Sequence, residues 1–347
     1  MEDVTIRGAG IFGLSIAFEC ARRGAKVTVV DPQGVDPQGI AAGSSGGIVG
    51  ALAPHVPENW NSKKAFQFDS LMMAEPFWKQ VEQTGGASTG YARLGRVQPV
   101  LDAAALELAH QRGENAMSLW QGLATWTVTD RPPGWAPPSP TGFWIADSLT
   151  ARINPNAACH ALAAALQAKG VQIARQADDR GAVLWATGLH DLLRISKLRG
   201  RAFGTGVKGQ AVLFDFDRSA AAQIFADSLH FVPHEDGTLA VGSTSEREYE
   251  GADTVDGQLD LLIEKAQRVL PELKSARILK RWAGVRPRSR SRAPVLGAHP
   301  TENGAFIANG GFKIGFGMAP KIAQIMADLI LEGRDAIPTE FRPEASF

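Results

Sequence analysis

The sequence predicts an α/β fold, with a parallel sheet and its helices at the start and an α+β region of antiparallel strands further along. Three observations predict it. A strand, a glycine-rich turn, a helix and a second strand follow one another within the first stretch of about thirty residues. Residues 210–216 and 231–243 carry strand patterns, and Asp236-Gly237 inside the second is a hairpin-turn signal. The chain has 347 residues, 44% of them hydrophobic and 21% charged, which is ordinary globular composition and suits two domains better than one.

Val4, Thr5 and Ile6 alternate as a strand. Gly8-Ala9-Gly10-Ile11-Phe12-Gly13 then reads G-x-G-x-x-G and opens a helical pattern over 11–23, with Leu14, Ala17, Phe18 and Ala21 on one face. Gly24 stands where a helix C′ glycine belongs. Residues 26–30 read as a buried parallel strand ending at Asp31. The spacing has a physical reason: Gly8 permits the tight strand-to-helix turn, Gly10 lets a pyrophosphate approach the backbone, and Gly13 lets the helix pack close on the sheet. The first helical N–H groups then face the phosphates, and Asp31 is placed to accept hydrogen bonds from ribose hydroxyls. Order and spacing together read as a Rossmann-type dinucleotide-binding unit. Arg7 stands where an apolar residue is usual, and either reaches toward the loop or cofactor or lies at the sheet margin.

The fingerprint alone does not separate NAD from FAD. Residues 41–55 follow where an NAD protein would carry its second mononucleotide half. This run, with Ser44, Ser45, Gly46 and Gly47 at its centre, exposes backbone and suits a large planar ligand; Ile48, Val49 and Leu52 set it apart from a flexible linker. Two later segments favour FAD. Residues 182–188 read as a strand ending in the small-residue turn Ala186-Thr187-Gly188. Residues 310–320 lead into a helical pattern over 321–331, with Pro320 at its first position and an N-terminus suited to an electron-rich edge.

Lys+Arg and Asp+Glu both number 36, so no net charge steers the chain to nucleic acid or an anionic membrane. The two cysteines, Cys20 and Cys159, form neither a disulfide framework nor a metal cluster, and no metal site is expected. A reducing cytoplasm fits them. No targeting segment precedes the first strand, and no window of about 18 apolar residues exists for a membrane span.

In these motifs the chain resembles the D-amino-acid oxidase superfamily, in particular its glycine oxidase and sarcosine oxidase-like branch. The matching residues are the fingerprint through Asp31, the 43–54 loop, Ala186-Thr187-Gly188, Gly209-Gln210, Phe231-Val232-Pro233 with Gly237, Val241-Gly242-Ser243-Thr244, Gly284-Val285-Arg286-Pro287 and the 310–320 loop. They span nearly the whole chain, most thinly over 56–145.

The resemblance implies a discontinuous FAD-binding domain from 1–55, 145–210 and 280–347, and an antiparallel-sheet α+β substrate domain from 56–144 and 211–279. The Pro-rich stretch around 135–140 then reads as an extended crossover. FAD would be held by Gly8, Gly10, Ile11, Phe12, Gly13, Asp31, Ser44, Ser45, Gly46, Gly47, Ala186, Thr187, Gly188, Gly284, Arg286, Gly311, Phe312, Lys313, Ile314 and Gly315. It would be non-covalent, since no cysteine lies near the C-terminal flavin loop.

The implied reaction oxidises the C–N bond of an amino acid or secondary amine by hydride transfer to flavin N5, giving an imine that hydrolyses, with O₂ or another acceptor taking the electrons. Arg286 is the implied carboxylate anchor, or else a structural or cofactor-contacting arginine. Lys313 would contact substrate, tune the flavin or assist O₂, or is a loop-surface lysine. His55, which closes the glycine-rich segment, is a third catalytic candidate, and His234 a cavity candidate.

The pattern departs from relatives that act on small D-amino acids. Tyr91 and Tyr249 are the only tyrosines and Phe231 stands where one is expected, so neither a full tyrosine–arginine clamp nor a simple glycine or D-alanine substrate is expected. Six of the eight tryptophans, from Trp60 to Trp144, pack the core or line an aromatic cavity. The rivals are an oxidoreductase acting on a tRNA-borne carboxymethylaminomethyl group, with residues 286–292 as polyanion contact, and a non-catalytic flavoprotein assembly factor.

Overall fold

The computed structural model of the chain describes residues 3–33, 39–132 and 134–347. Strand Asp3–Arg7 lies between Lys26–Val30 and Ala182–Trp185 and is parallel to both. Gln172–Ala174 continues this six-stranded sheet on one side, and Phe306–Asn309 followed by Val295–Ala298 on the other. All pairs are parallel except the last. Val4, Thr5 and Ile6 are buried on both faces, as a central parallel strand requires. Helix Ile11–Arg22, whose residues from Ile11 to Cys20 are all buried, packs against Pro155–Ala168 and Gly315–Glu332.

The second sheet has eight strands, in the order Arg277–Ser289, Gly204–Asp215, Thr238–Gly242, Leu229–Pro233, Gln223–Ala226, Arg96–Pro99, Trp144–Asp147 and Trp126–Thr129. Its pairs are antiparallel apart from Gln223–Ala226 with Arg96–Pro99. Helix Gly257–Val269 covers one face. Its Leu259, Leu262, Ile263 and Ala266 recur at helical spacing and pack with Val212, Phe214, Phe231 and Val241. The expected hairpin turn is present, with Gly237 at φ 80° and His234 N–H bonded to the Thr238 carbonyl at 2.8 Å.

The sheets refine three expectations. The cuts drawn at 145, 210 and 280 fall inside Trp144–Asp147, Gly204–Asp215 and Arg277–Ser289, each of which belongs whole to the eight-stranded sheet. The last long helix begins at Gly315 rather than 321, so Pro320 lies inside it. The first turn passes close to Ile11 and Leu71. Arg7 lies at the sheet margin, paired with Asp179 at 2.8 Å and over the Trp185 ring. No helix among the described residues is long and apolar enough to cross a membrane.

Candidate active site

Four motifs follow directly on the carboxyl ends of parallel strands, where open α/β sheets bind ligands: Gly8–Gly10, Asp31, Ala186–Gly188 and Gly310–Lys313. Gly8 has φ 110°, and a Cβ there would lie 2.5 Å from the Ala186 carbonyl oxygen. A Cβ at Gly13 would lie 1.9 Å from the Gly8 carbonyl oxygen. Only glycine lets turn, helix and neighbouring strand approach this closely. Asp31 Oδ2 accepts from Ala9 N–H at 2.7 Å and Oδ1 from Gln33 N–H at 3.0 Å. Ser45 Oγ accepts from Ile11 N–H at 3.0 Å.

These motifs line a cavity of about 940 Å³, near the top of the range for small-molecule sites. Gly8, Gly10, Ile11, Phe12 and Asp31 line one part of it, with Ser44, Ser45, Gly47 and the Ala186–Gly188 turn. Arg286, Gly311, Phe312, Lys313 and Gly315 line another. Five expected residues do not line it. Gly13 is spent on packing against Gly8, and Gly46 on packing against the Ala41 carbonyl. Gly284 lies under the Trp282 ring, which itself faces the cavity. Ile314 packs into the core at the helix start. His55 is held by Gln67: its N–H donates to Gln67 Oε1 at 2.7 Å and its Nδ1 meets the same oxygen. Burial lowers its pKa.

Arg286 projects from strand Arg277–Ser289, opposite Val207. Its Nη1 donates to Ser243 Oγ at 2.8 Å, and its Nη2 to the carbonyls of Thr244 at 2.7 Å and Lys208 at 3.2 Å. The terminal fork expected to grip a carboxylate is therefore largely engaged with the protein, while the buried Nε has no partner. The Phe312 ring centroid lies 5.7 Å from Arg286 Cζ, 5.3 Å from Arg288 Cζ and 5.8 Å from Lys313 Nζ. Burial and then the charges of Arg286 and Arg288 lower the Lys313 pKa. None of the ion pairs among the described residues includes Arg286 or Lys313.

His230, Phe225, Ser243 and Trp282 also line the cavity but were not among the expected site residues. Alternation along Leu229–Pro233 carries the signal for His230: Leu229 and Phe231 enter the second core, so His230 faces the other side. The His230 and Phe225 rings lie 4.7 Å apart. Burial, followed by the charges of Arg96 and Lys313, pushes the His230 imidazole down to about 3, so it is neutral. Its buried Nδ1 has no partner. Phe231 points into the core, and Tyr249 Oη packs where a Gly206 side chain would lie. His234 is buried with Nδ1 at 3.2 Å from Thr238 Oγ1, away from the cavity. Trp78 and Trp120 are core residues.

The residues fit a flavin dinucleotide on grounds internal to the chain. Three buried polar atoms without partners, Thr187 Oγ1, His230 Nδ1 and Arg286 Nε, belong to residues that line the cavity. Two helix N-termini, at Ile11 and Gly315, border it without a cap from their own N-cap side chains. Neither cysteine lines it; burial raises both thiols, Cys20 to about 12. No cluster of metal-ligating side chains occurs among the described residues.

The family model described as FAD dependent oxidoreductase matches residues 3–329. The chain belongs to this family. It is 25% identical to the bifunctional protein ThiO/ThiG of Nostoc sp. (strain PCC 7120), over 95% of this chain and 53% of that protein. The chain thus spans about half the length of the first curated relatives it matches. It is 27% identical to glycine oxidase of Pseudomonas putida, over 99% of this chain and 98% of the relative. The crystal structure of glycine oxidase from Bacillus cereus ATCC 14579 shares the fold, with a TM-score of 0.79 at 21% identity and 96% of each chain covered. Membership makes the protein an FAD-dependent oxidoreductase. Gly8, Gly10 and Asp31 would hold the adenosine diphosphate half of FAD, and Ser44, Ser45, Gly47 and Gly311–Lys313 would border the remainder.

Proposed function

We propose that this enzyme oxidises the C–N bond of an amine that carries a carboxylate, an amino acid or an N-substituted amino acid. The observation that carries the reading is one cavity shared by a dinucleotide fingerprint and two cations, Arg286 and Lys313, that lack an acidic partner. Bound flavin supplies the hydride acceptor. The chain's own residues bind and orient. Lys313 Nζ holds the carboxylate with the Arg286 guanidinium charge beside it, because an unpaired cation in a partly buried site gains more from an anion than from water. His230, kept neutral, offers an unpaired nitrogen to the amine. Phe225, Trp282 and Phe312 exclude water and orient the substrate between these groups. The imine product hydrolyses to a carbonyl compound and an amine or ammonia, and O₂ or another acceptor reoxidises the enzyme. The likeness to a protein named glycine oxidase supports an amino-acid substrate.

The test is the visible spectrum of the purified holoenzyme, followed by anaerobic mixing with glycine, sarcosine, proline and D-amino acids. Flavin bands that bleach with one of these are expected, and their return in air would mark O₂ as the acceptor. A yellow protein that none of them bleaches would sink this reading in favour of an RNA-borne substrate or a non-catalytic role.

A further inference from the structure

We propose that an ionic cluster, the buried Lys208 with Glu246 and the half-exposed Asp256, positions Arg286 for the substrate carboxylate; the proposal rests on the reading above. Lys208 and Gln210 sit in strand Gly204–Asp215 with no exposed surface. Lys208 Nζ donates to Asp256 Oδ2 at 2.9 Å and lies 3.8 Å from Glu246 Oε2. Gln210 Nε2 donates to Glu246 Oε1 at 3.0 Å and Asp256 Oδ1 at 2.7 Å, and its Oε1 accepts from Asp256 N–H at 3.0 Å. Thr244 Oγ1 accepts from Gln210 N–H at 2.7 Å and donates to Glu246. Lys208 and Glu246 also exchange two backbone hydrogen bonds of 2.9 Å. Residues 243–256 are thereby stitched to the strand beside them.

Every acceptor of the Arg286 guanidinium belongs to this stitched frame. The carbonyls of Lys208 and Thr244 and the hydroxyl of Ser243, the neighbour of Thr244, take its three hydrogen bonds. If the frame shifts, the guanidinium shifts with it. Stability alone does not call for such a cluster, because apolar residues of similar volume commonly serve as well as a buried ion pair. What the cluster adds is a fixed place for carbonyls that would otherwise lie on a loop. The Gln210 amide and then the Lys208 ammonium hold the Asp256 carboxyl down at about 2, so it remains ionised.

Asp256→Asn gives a discriminating test. Asn caps helices as well as Asp, so the helix Gly257–Val269, which Asp256 caps through Gln258 N–H, keeps its N-terminus. Loss of the charge frees the Lys208 ammonium to draw on Glu246 and loosens Thr244. Positioning predicts that KM for the amino acid rises on the order of tenfold while kcat stays within about twofold. The dissociation constant of the holoenzyme for acetate, a carboxylate that cannot be oxidised, should rise by a similar factor, read from the flavin spectrum. A simple field effect predicts the opposite, tighter binding once a negative charge is gone. Unchanged or lowered KM in Asp256→Asn would overturn the proposal, and so would an acetate affinity equal to that of the wild type. In a Lys208→Met background, Asp256→Asn should add little further loss; full additivity would also count against a shared frame. A wild type that no amino acid reduces and acetate does not perturb would overturn the reading beneath the proposal as well. A wild type that is active while Asp256→Asn matches it would overturn the positioning role alone.

Discussion

Ser45 Oγ accepts the amide hydrogen of Ile11 at 3.0 Å, so the first helix is closed by a side chain 34 residues downstream. The glycine-rich turn and the dinucleotide fingerprint are therefore one unit. Ser45→Ala removes the acceptor and releases the turn. FAD affinity should fall on the order of tenfold, measured by titrating apoprotein with FAD. An unchanged dissociation constant would mean that the turn is held by other contacts.

Lys313 is the cavity cation with no hydrogen bond to the protein among the described residues, and Lys313→Met should raise KM for the amino acid by about 10- to 100-fold. Its effect on kcat should be smaller, since the residue binds rather than reacts. Lys313→Arg should retain most of the affinity. Steady-state kinetics of the three proteins, at saturating acceptor, checks this; equal KM values would remove Lys313 from substrate binding.

The same lysine sets a pH limit. Burial and the charges of Arg286 and Arg288 lower its pKa from the ordinary 10.5. A cation with a lowered pKa is present at low pH and lost as pH rises through that lowered value. Carboxylate affinity should therefore decline on the alkaline side before 10.5; burial also lowers the Arg286 guanidinium, to about 10, so the Lys313 variant is needed to tell the two apart. In Lys313→Arg the decline should move to higher pH, and an identical profile in both proteins would assign it to another group.

Gly209 touches the anchor from beneath. A Cβ there would lie 2.0 Å from Arg286 Nη2, the end of a flexible side chain. Gly209→Ala should therefore still fold, with a melting temperature lowered by the loss of the guanidinium's hydrogen bonds, and displace the guanidinium so that KM rises severalfold. A variant that melts early with unchanged KM would show that the alanine disturbs the strand instead.

His230 titrates near 3 in the folded protein against an ordinary 6.5. Between those values the unfolded chain binds the proton and the folded chain does not, so stability falls as pH drops from about 6.5 toward 3. His230→Phe should lessen this loss. Thermal melts between pH 7 and 4 check it; parallel curves for both proteins would place the acid sensitivity elsewhere.

Most of the cofactor wall was legible in the sequence because it depends on local backbone chemistry. Gly8, Gly10 and Asp31 act through turn, helix and strand end within one short stretch, and spacing alone conveys that. Substrate-facing groups come from strands far apart in the chain. His230 carried only a period-two signal that requires knowing which face is core, and Trp282 reaches the cavity by lying across Gly284. His55 stood beside a cavity-lining segment, but Gln67 on helix Ser62–Gly85 turns it away. The engaged fork of Arg286 was also beyond reach, because its acceptors, Lys208, Ser243 and Thr244, become neighbours only through the pairing of Gly204–Asp215 with the strands on either side. The helix at Gly315 was read as starting at 321 because its glycines and Pro320 carry loop and first-position signals in the sequence.

The order of strands along the chain carries a further consequence. The six-stranded sheet takes its members from 3–30, 172–185 and 295–309, and the eight-stranded sheet from 96–147 and 204–289, so the chain passes from one to the other four times. No single cut leaves each sheet whole on its own fragment. Heat should melt the molecule in one cooperative step, which FAD shifts as a whole, and complementary fragments cut between 185 and 204, where both sheets are divided, should remain unfolded until they meet.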